Sequence, residues 1–500
     1  MEILQNISYG FSIGLQPTHL LFCFIGCLLG TLIGVLPGIG PVGAISMLLP
    51  ATFHMSPTAA IIMLAGIYYG SMYGGSTTSI LVNIPGEAAS VVTCLDGYEM
   101  AKQGRAGPAL GIAAFGSFVA GTLGLIGLML FSVPLAALAL KVGYPDYFAI
   151  LLLGMTMIIY MTQGSILKGI MMGVLGVILS SVGIDPVLGF ARMTFNRVEL
   201  ADGFSVVPIA MGLFGVSEVL LNIETSFRHE ILKTNIKDLF PGRSDWNRAK
   251  GPILRGSLLG FVLGILPGGG PVIASFVSYG MEKRFSKEPE RFGKGAIEGV
   301  AGPEAANNSA TSGAFVPLFT LGIPANLVMA LLLGALVVHG MRPGPFFINE
   351  HPDIFWGVLS SMYLGNLMLL ILNLPLVPLW VQVLKIPYRI LFPLILLFCL
   401  IGAYAINNSI FDVVVMITFG LTGYLFKKFN FEGAPLILAF VLGPILELSL
   451  RQSLIISKGS FLIFFKRPIS AFAVILACAI IAASFLPRFR KQGQNRQEMA

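Results

Sequence analysis

Two stretches of small polar residues interrupt a chain that is otherwise apolar. The first runs Tyr69-Gly70-Ser71-Met72-Tyr73-Gly74-Gly75-Ser76-Thr77-Thr78-Ser79 and is followed by Asn83 and Ile84-Pro85-Gly86-Glu87. The second runs Pro303-Glu304-Ala305-Ala306-Asn307-Asn308-Ser309-Ala310-Thr311-Ser312-Gly313 and is followed by Gly322-Ile323-Pro324. Hydroxyl and amide groups at this density suit recognition of a small polar solute: their hydrogens donate to a carboxylate, and their oxygens ligate Na+. Ser76, Thr77, Thr78 and Ser79 of the first stretch, with Asn307, Asn308, Ser309, Thr311 and Ser312 of the second, are therefore candidate substrate-binding residues. Asn83 and Glu304 are candidates for a coupling ion, since an ionisable group within apolar sequence is costly and usually functional. Glu87 and Glu218 also lie in or beside apolar runs; Glu218 equally suits a simple helix end, and Asp96 reads as a structural residue opening a charged loop. Hydroxyls also bond between packed helices, and one such stretch alone would favour that plainer role. Two copies, each paired with a broken helix, favour a site.

Those breaks belong to an internal repeat. Residues 26–44 read GCLLGTLIGVLPGIGPVGA and residues 256–274 read GSLLGFVLGILPGGGPVIA, so at an offset of 230 they agree at 12 of 19 positions. Each copy spaces glycines four apart (Gly26, Gly30, Gly34, Gly38 and Gly256, Gly260, Gly264, Gly268), a smooth stripe for close helix packing. Each then meets Leu-Pro-Gly, where proline removes a donor and glycine loosens the backbone, so the helix stops. The free N–H groups at such a break attract anions, which adds Gly38, Gly40, Gly268 and Gly270 to the candidate substrate-binding set. The Ser-x-Thr-Ser cores at Ser76 and Ser309 and the later Ile-Pro pairs align if the second copy carries six additional residues.

The elements that must hold these residues are membrane helices. Mean hydropathy is +0.85 over 500 residues, 55% are hydrophobic and only 11% are charged, too few for a water-facing surface. Apolar runs long enough for about 30 Å of hydrocarbon recur without period-2 alternation. The expected fold is an all-α polytopic membrane protein with roughly ten to twelve transmembrane helices, some broken or re-entrant. The expected divisions are a first repeat half at 1–224, a basic cytoplasmic linker at 225–251, a second half at 252–487 and a polar tail at 488–500. The first apolar run, lacking a basic leader, reads as part of the fold. Residues 1–101 contain no Lys or Arg, whereas basic residues flank the second copy on both sides. By the positive-inside rule the two copies face opposite ways, an inverted-topology repeat with a periplasmic N-terminus.

The formal net charge of +7 sits in short loops, which fits that same rule and not a nucleic-acid partner. Five cysteines without a CxxC pair, scattered histidines and the absence of GxxxxGK[ST] give no zinc site, no cofactor and no nucleotide-hydrolysis motif. No nucleophile or acid/base pair stands out, so an enzyme is not expected.

At Gly34 to Pro41, Tyr69 to Ser79, Ile84-Pro85-Gly86, Asp96-Gly97-Tyr98, Gly264 to Pro271 and Pro303 to Ser312 the sequence resembles the large membrane subunit of the bacterial tripartite tricarboxylate transporters. The resemblance covers nearly the whole chain; the second break reads Pro-Gly-Gly-Gly-Pro where the first has Pro-Gly-Ile-Gly-Pro. It implies a translocating subunit in the bacterial inner membrane, working with a small four-helix membrane subunit and a periplasmic solute-binding protein. Such a system would import citrate or another small carboxylate by symport with Na+ or H+. An exporter or a cation/proton antiporter of the same architecture is the alternative.

Overall fold

The computed structural model describes residues 2–36, 40–160, 165–185, 187–224, 239–268, 270–384 and 388–484. The chain is an all-α polytopic membrane protein. Among the described residues, six helices are long and apolar enough to cross a membrane, and five apolar helices are shorter.

The helices that matter for the site are α1 (Pro17–Val35), α2 (Gly40–Leu48), α3 (Pro57–Val82), α4 (Arg243–Ile265), α5 (Gly270–Phe285), α6 (Glu298–Gly313), α7 (Phe315–Leu321), α8 (Leu327–Val338) and α9 (Pro352–Asn373). Their ends follow from local chemistry. Pro57 opens α3 behind Ser56, whose hydroxyl accepts from the Ala59 N–H at 3.4 Å. Asp245 folds back to accept from the Gly242 N–H at 3.2 Å and starts α4. Both long glycine-striped helices stop one residue before Leu-Pro-Gly, at Val35 and Ile265. α4 already begins at Arg243, so the last part of the basic segment 225–251 is helical and continuous with the second repeat. Residues 225–238 and the tail 488–500 lie outside the described residues.

Contacts group the chain into two compact units. One joins Met1–Ala136 to Val207–Tyr424 and contains every candidate site residue. In it α1 lies along α3 and α4 along α6, each pair running the same way. Gly26 faces Met63, Gly30 faces Ile67 and Gly34 faces Ser71; likewise Gly256 faces Gly302, Gly260 faces Ala306 and Gly264 faces Ala310. A Cβ on Gly30 would stand 2.6 Å from the Ile67 carbonyl oxygen, and one on Gly260 2.7 Å from the Ala306 Cα. Only glycine allows backbones this near. α9 backs the first pair, its Ser361 carbonyl accepting from the Cys23 thiol at 3.3 Å.

The second unit comprises Ala137–Val206 and the segment from Leu425 onward. Helix Ile166–Ser180 packs on Gly433–Ile456, and a two-residue antiparallel ladder pairs Gly183 with Arg192. Buried Asp146 holds this unit together by pairing with Arg467 at 2.6 Å and accepting from the Gly143 and Ser470 N–H groups at 3.0 and 3.2 Å. These units cut across the chain-order halves, because a repeat is a relation of sequence and a unit a relation of contact.

Candidate functional site

In both repeats the chain reverses at a residue of left-handed backbone, Asn83 after α3 at φ 60° and Gly322 after α7 at φ 69°. Asparagine and glycine are the residues that tolerate this. Ile-Pro follows in each case, and then a side chain that caps the next helical turn. Glu87 accepts from the Ala89 N–H at 2.5 Å, and Asn326 accepts from the Met329 N–H at 3.0 Å. These loops return to the helix breaks. Gly86 packs against the Gly34 carbonyl, and the Gly268 N–H donates to Ala325 at 2.8 Å. Gly40, Gly268 and Gly270 take φ values of 63°, 80° and 50° at the breaks, with Gly270 beside Asn326. Gly38 lies outside the described residues.

The packing corrects the alignment drawn from sequence. Met63 with Gly302, Ile67 with Ala306, Ser71 with Ala310, Asn83 with Gly322 and Glu87 with Asn326 are equivalent, all at a constant offset of 239. The additional residues of the second copy therefore all precede α6, and none is inserted within it. Ser76 corresponds to Phe315, and the two Ser-x-Thr-Ser cores are not equivalent positions.

This register exposes a pairing across the repeats. The Asn326 amide donates to the Tyr68 hydroxyl at 3.1 Å, and the Asn307 amide donates to Glu87 Oε1 at 3.3 Å. Tyr68 corresponds to Asn307 and Glu87 to Asn326 at the same offset of 239. Exchanging the two repeats thus turns one pair into the other.

Beside these pairs lies Glu304, 1% exposed. Its Oε2 accepts from the Ser76 hydroxyl at 2.7 Å, and its Oε1 accepts from the Thr93 hydroxyl. Among the described residues neither Glu304 nor Glu87 has a Lys, Arg or His among the groups acting on it. A buried carboxylate without a cation is expensive to keep charged, so both can serve as acceptors for a mobile cation.

Of the candidates drawn from sequence, Ser76 and Glu304 meet directly, and Asn307 joins them through Glu87. Other candidates turn toward the packing. Thr78 donates to the Val35 carbonyl at 2.7 Å, tying α3 to the end of α1. Ser79 and Thr311 bond one turn back to the Gly75 and Asn307 carbonyls, each at 3.0 Å, and Thr311 also stands beside the Tyr68 hydroxyl of the cluster. Asn308 donates to Ser117 at 2.7 Å and to the Glu304 carbonyl at 3.1 Å, and Ser309 donates to the Ser257 carbonyl of α4 at 2.6 Å. Thr77 and Ser312 are buried, and Asn83 is exposed at the helix end. Four cluster residues escaped the sequence reading as site members: Tyr68, Glu87, Thr93 and Asn326. The offset of 239 pairs Tyr68 with Asn307 and Glu87 with Asn326; the Ile84-Pro85 and Ile323-Pro324 pairs already carry it in the sequence, and the packing extends it back through α3 and α6.

A family model described as "Tripartite tricarboxylate transporter TctA family" matches residues 20–438. An Agrobacterium vitis protein described as an uncharacterized 52.8 kDa protein in the TAR-I ttuC' 3' region is 51% identical over 494 residues, 98% of each chain. A second from Agrobacterium vitis, described as an uncharacterized protein in the TAR-II ttuC' 3' region, is 53% identical over 233 residues, 47% of this chain and 96% of that one. No solved structure matches.

Proposed function

The chain belongs to the tripartite tricarboxylate transporter TctA family, a family of transporter subunits and not of enzymes, and from that premise we propose that it imports a small carboxylate by ion-driven alternating access. The carboxylate is citrate or a similar anion, and the direction is inward across the bacterial inner membrane. A small four-helix membrane subunit and a periplasmic solute-binding protein complete the system. The repeats have inverted topology, with the N-terminus on the periplasmic side.

The observation that carries this reading is the exchanged pair of contacts, Tyr68 with Asn326 and Asn307 with Glu87. Where two repeats meet through one contact made in both senses, opening one pair while the other stays closed gives access from one side at a time. The pairs differ chemically, amide to phenol and amide to carboxylate, so the two openings need not cost the same. The Asn307 and Asn326 amides each carry a second N–H beyond the one given to Glu87 or Tyr68, which serves as a donor for an anionic substrate, and Glu304 holds the coupling ion.

The test is uptake of radiolabelled citrate and related carboxylates into vesicles, with the other two subunits present or withheld and an ion gradient imposed or collapsed. Gradient-dependent uptake that requires both partners is expected. Efflux of carboxylate from loaded vesicles under the same gradient, without uptake, would reverse the direction. No movement of any carboxylate would sink the substrate class.

A further inference from the structure

We propose, resting on the import reading above, that the ion moved with the substrate is a proton carried on Glu304, with Ser76 as the hydroxyl that changes partner as the proton loads. The geometry around Ser76 carries this. Its single hydroxyl hydrogen has two acceptors within reach, Glu304 Oε2 at 2.7 Å and the Met72 carbonyl at 3.2 Å. With Glu304 ionised, Ser76 donates to the carboxylate. When a proton adds to Oε2, the new O–H donates to Ser76 Oγ and the Ser76 hydrogen swings to the Met72 carbonyl. One O–H bond forms on Glu304 as one breaks in the hydronium ion that delivers the proton and leaves as water, and every hydrogen keeps an acceptor. Loss of the proton reverses the steps, and the net charge of the group alternates between minus one and zero.

The same geometry disfavours Na+ at this carboxylate. A separation of 2.7 Å between Glu304 Oε2 and Ser76 Oγ is that of two oxygens sharing a hydrogen. Ser76 and Thr93 each stand within hydrogen-bond reach of a different Glu304 oxygen, so both carboxylate oxygens are already engaged.

The other charged groups around α6 are engaged elsewhere. Glu282 of α5 pairs with Arg255 of α4, Glu298 faces Arg248 at 3.5 Å, and Asp96 accepts from Tyr279 at 2.9 Å and from backbone N–H groups. The titratable groups that do feel the Glu304 charge are Tyr73, Glu87 and Cys94, none of them a cation. Among the described residues, then, no fixed positive charge acts on Glu304 in competition with a proton.

The repeat relation adds an independent reason. At the offset of 239 the counterparts of Glu304, Ser76 and Thr93 are Ala65, Phe315 and Leu332. Three apolar side chains occupy the equivalent place in the other repeat. The architecture does not need a carboxylate there, so the one it has is kept for what it binds.

The experiment is infrared spectroscopy of the full chain in lipid bilayers, titrated with acid in the absence and then the presence of Na+. A carbonyl band of a protonated carboxylic acid should grow as pH falls, vanish in Glu304→Gln, persist in Glu87→Gln and be unmoved by Na+. Ser76→Ala keeps the carboxyl and should shift the band frequency, because the acid O–H loses its acceptor; this variant decides the matter if Glu304→Gln does not fold. A band untouched in both variants, or abolished by Na+, overturns the proposal. In vesicles holding all three subunits and a pH-sensitive dye, citrate uptake without Na+ should acidify the lumen. Uptake driven by Na+ without acidification would overturn the proton and leave carboxylate import standing. Absence of any carboxylate uptake would overturn the import reading, and the infrared titration would still decide whether Glu304 carries a proton.

Discussion

Asp96 should be among the costliest residues in the chain to remove, although it touches no proposed ligand. It is 0% exposed within the turn Cys94–Tyr98. Its Oδ1 accepts from the Gly293, Gly295 and Ala296 N–H groups at 2.9, 2.8 and 2.8 Å, and its Oδ2 accepts from the Tyr279 hydroxyl at 2.9 Å. One carboxylate from the first repeat thus fixes the loop that leads into α6 of the second. In Asp96→Ala, water replaces the partner of exposed Gly293, but the Gly295 and Ala296 donors stay buried and unpaired. At about 1–3 kcal/mol for each buried orphan the loss is about 2–6 kcal/mol. Asp96→Asn keeps one acceptor oxygen for the backbone N–H groups and loses the charge assistance, about 1 kcal/mol, while its amide N–H turns the half-buried Tyr279 hydroxyl from donor to acceptor. The assay is hydrogen exchange at residues 293–296 of the solubilised full chain, read beside its thermal midpoint. Fast exchange and a lowered midpoint are expected for the alanine variant, with the asparagine variant close to the parent. Unchanged exchange in Asp96→Ala would show that the loop is held by something else, and the reasoning would fail.

Gly260→Val should abolish accumulation of folded protein, since its Cβ meets backbone of α6 and not a side chain that can turn aside; size-exclusion of a fluorescent fusion reads this directly. Ser309→Trp should fail the same way, because Ser309 sits against Ser257 of α4, whereas Ser309→Ala should cost only about 1 kcal/mol and keep uptake. Tyr68→Phe removes the partner of Asn326 and should slow uptake at least about tenfold, one hydrogen bond of about 1.4 kcal/mol, with no loss of folded protein. In the second unit Arg451 holds the Asp185 carboxyl well below the usual carboxylate range. The folded value lies below the unfolded one, so this pair stabilises above about pH 4 and its contribution fades as pH falls further. Arg451→Met should therefore be less stable near neutrality and should lose less additional stability on acidification, measured as thermal midpoint against pH.

The membrane class, the two breaks and the glycine stripes were legible because each rests on local chemistry. Apolar length sets a span, Leu-Pro-Gly ends a helix, and glycine every fourth residue makes one smooth face. The partners of the polar residues were not legible, because a hydroxyl is equally at home in a packing seam and in a binding cluster. The connection before α6 hid the register as well: it is nine residues longer in the second repeat, the difference between the offsets 230 and 239. Once that length is unknown, the eye aligns Ser76 with Ser309, and the Tyr68 and Asn326 pairing disappears.

Part of the division within α6 nevertheless follows from helical geometry alone. Successive residues turn about 100° around the axis. Gly302, Ala306 and Ala310 form the small-residue face that meets the glycine stripe of α4. Measured from that face, Ser309 lies about 60° away and Glu304 about 160° away. Ser309 must therefore border the seam, and it does bond the Ser257 carbonyl of α4. Glu304 must point to the far side, toward whatever the first repeat supplies, and it finds Ser76 and Thr93 there. Two polar residues five positions apart on one helix thus face opposite ways, set by which face the glycines claim.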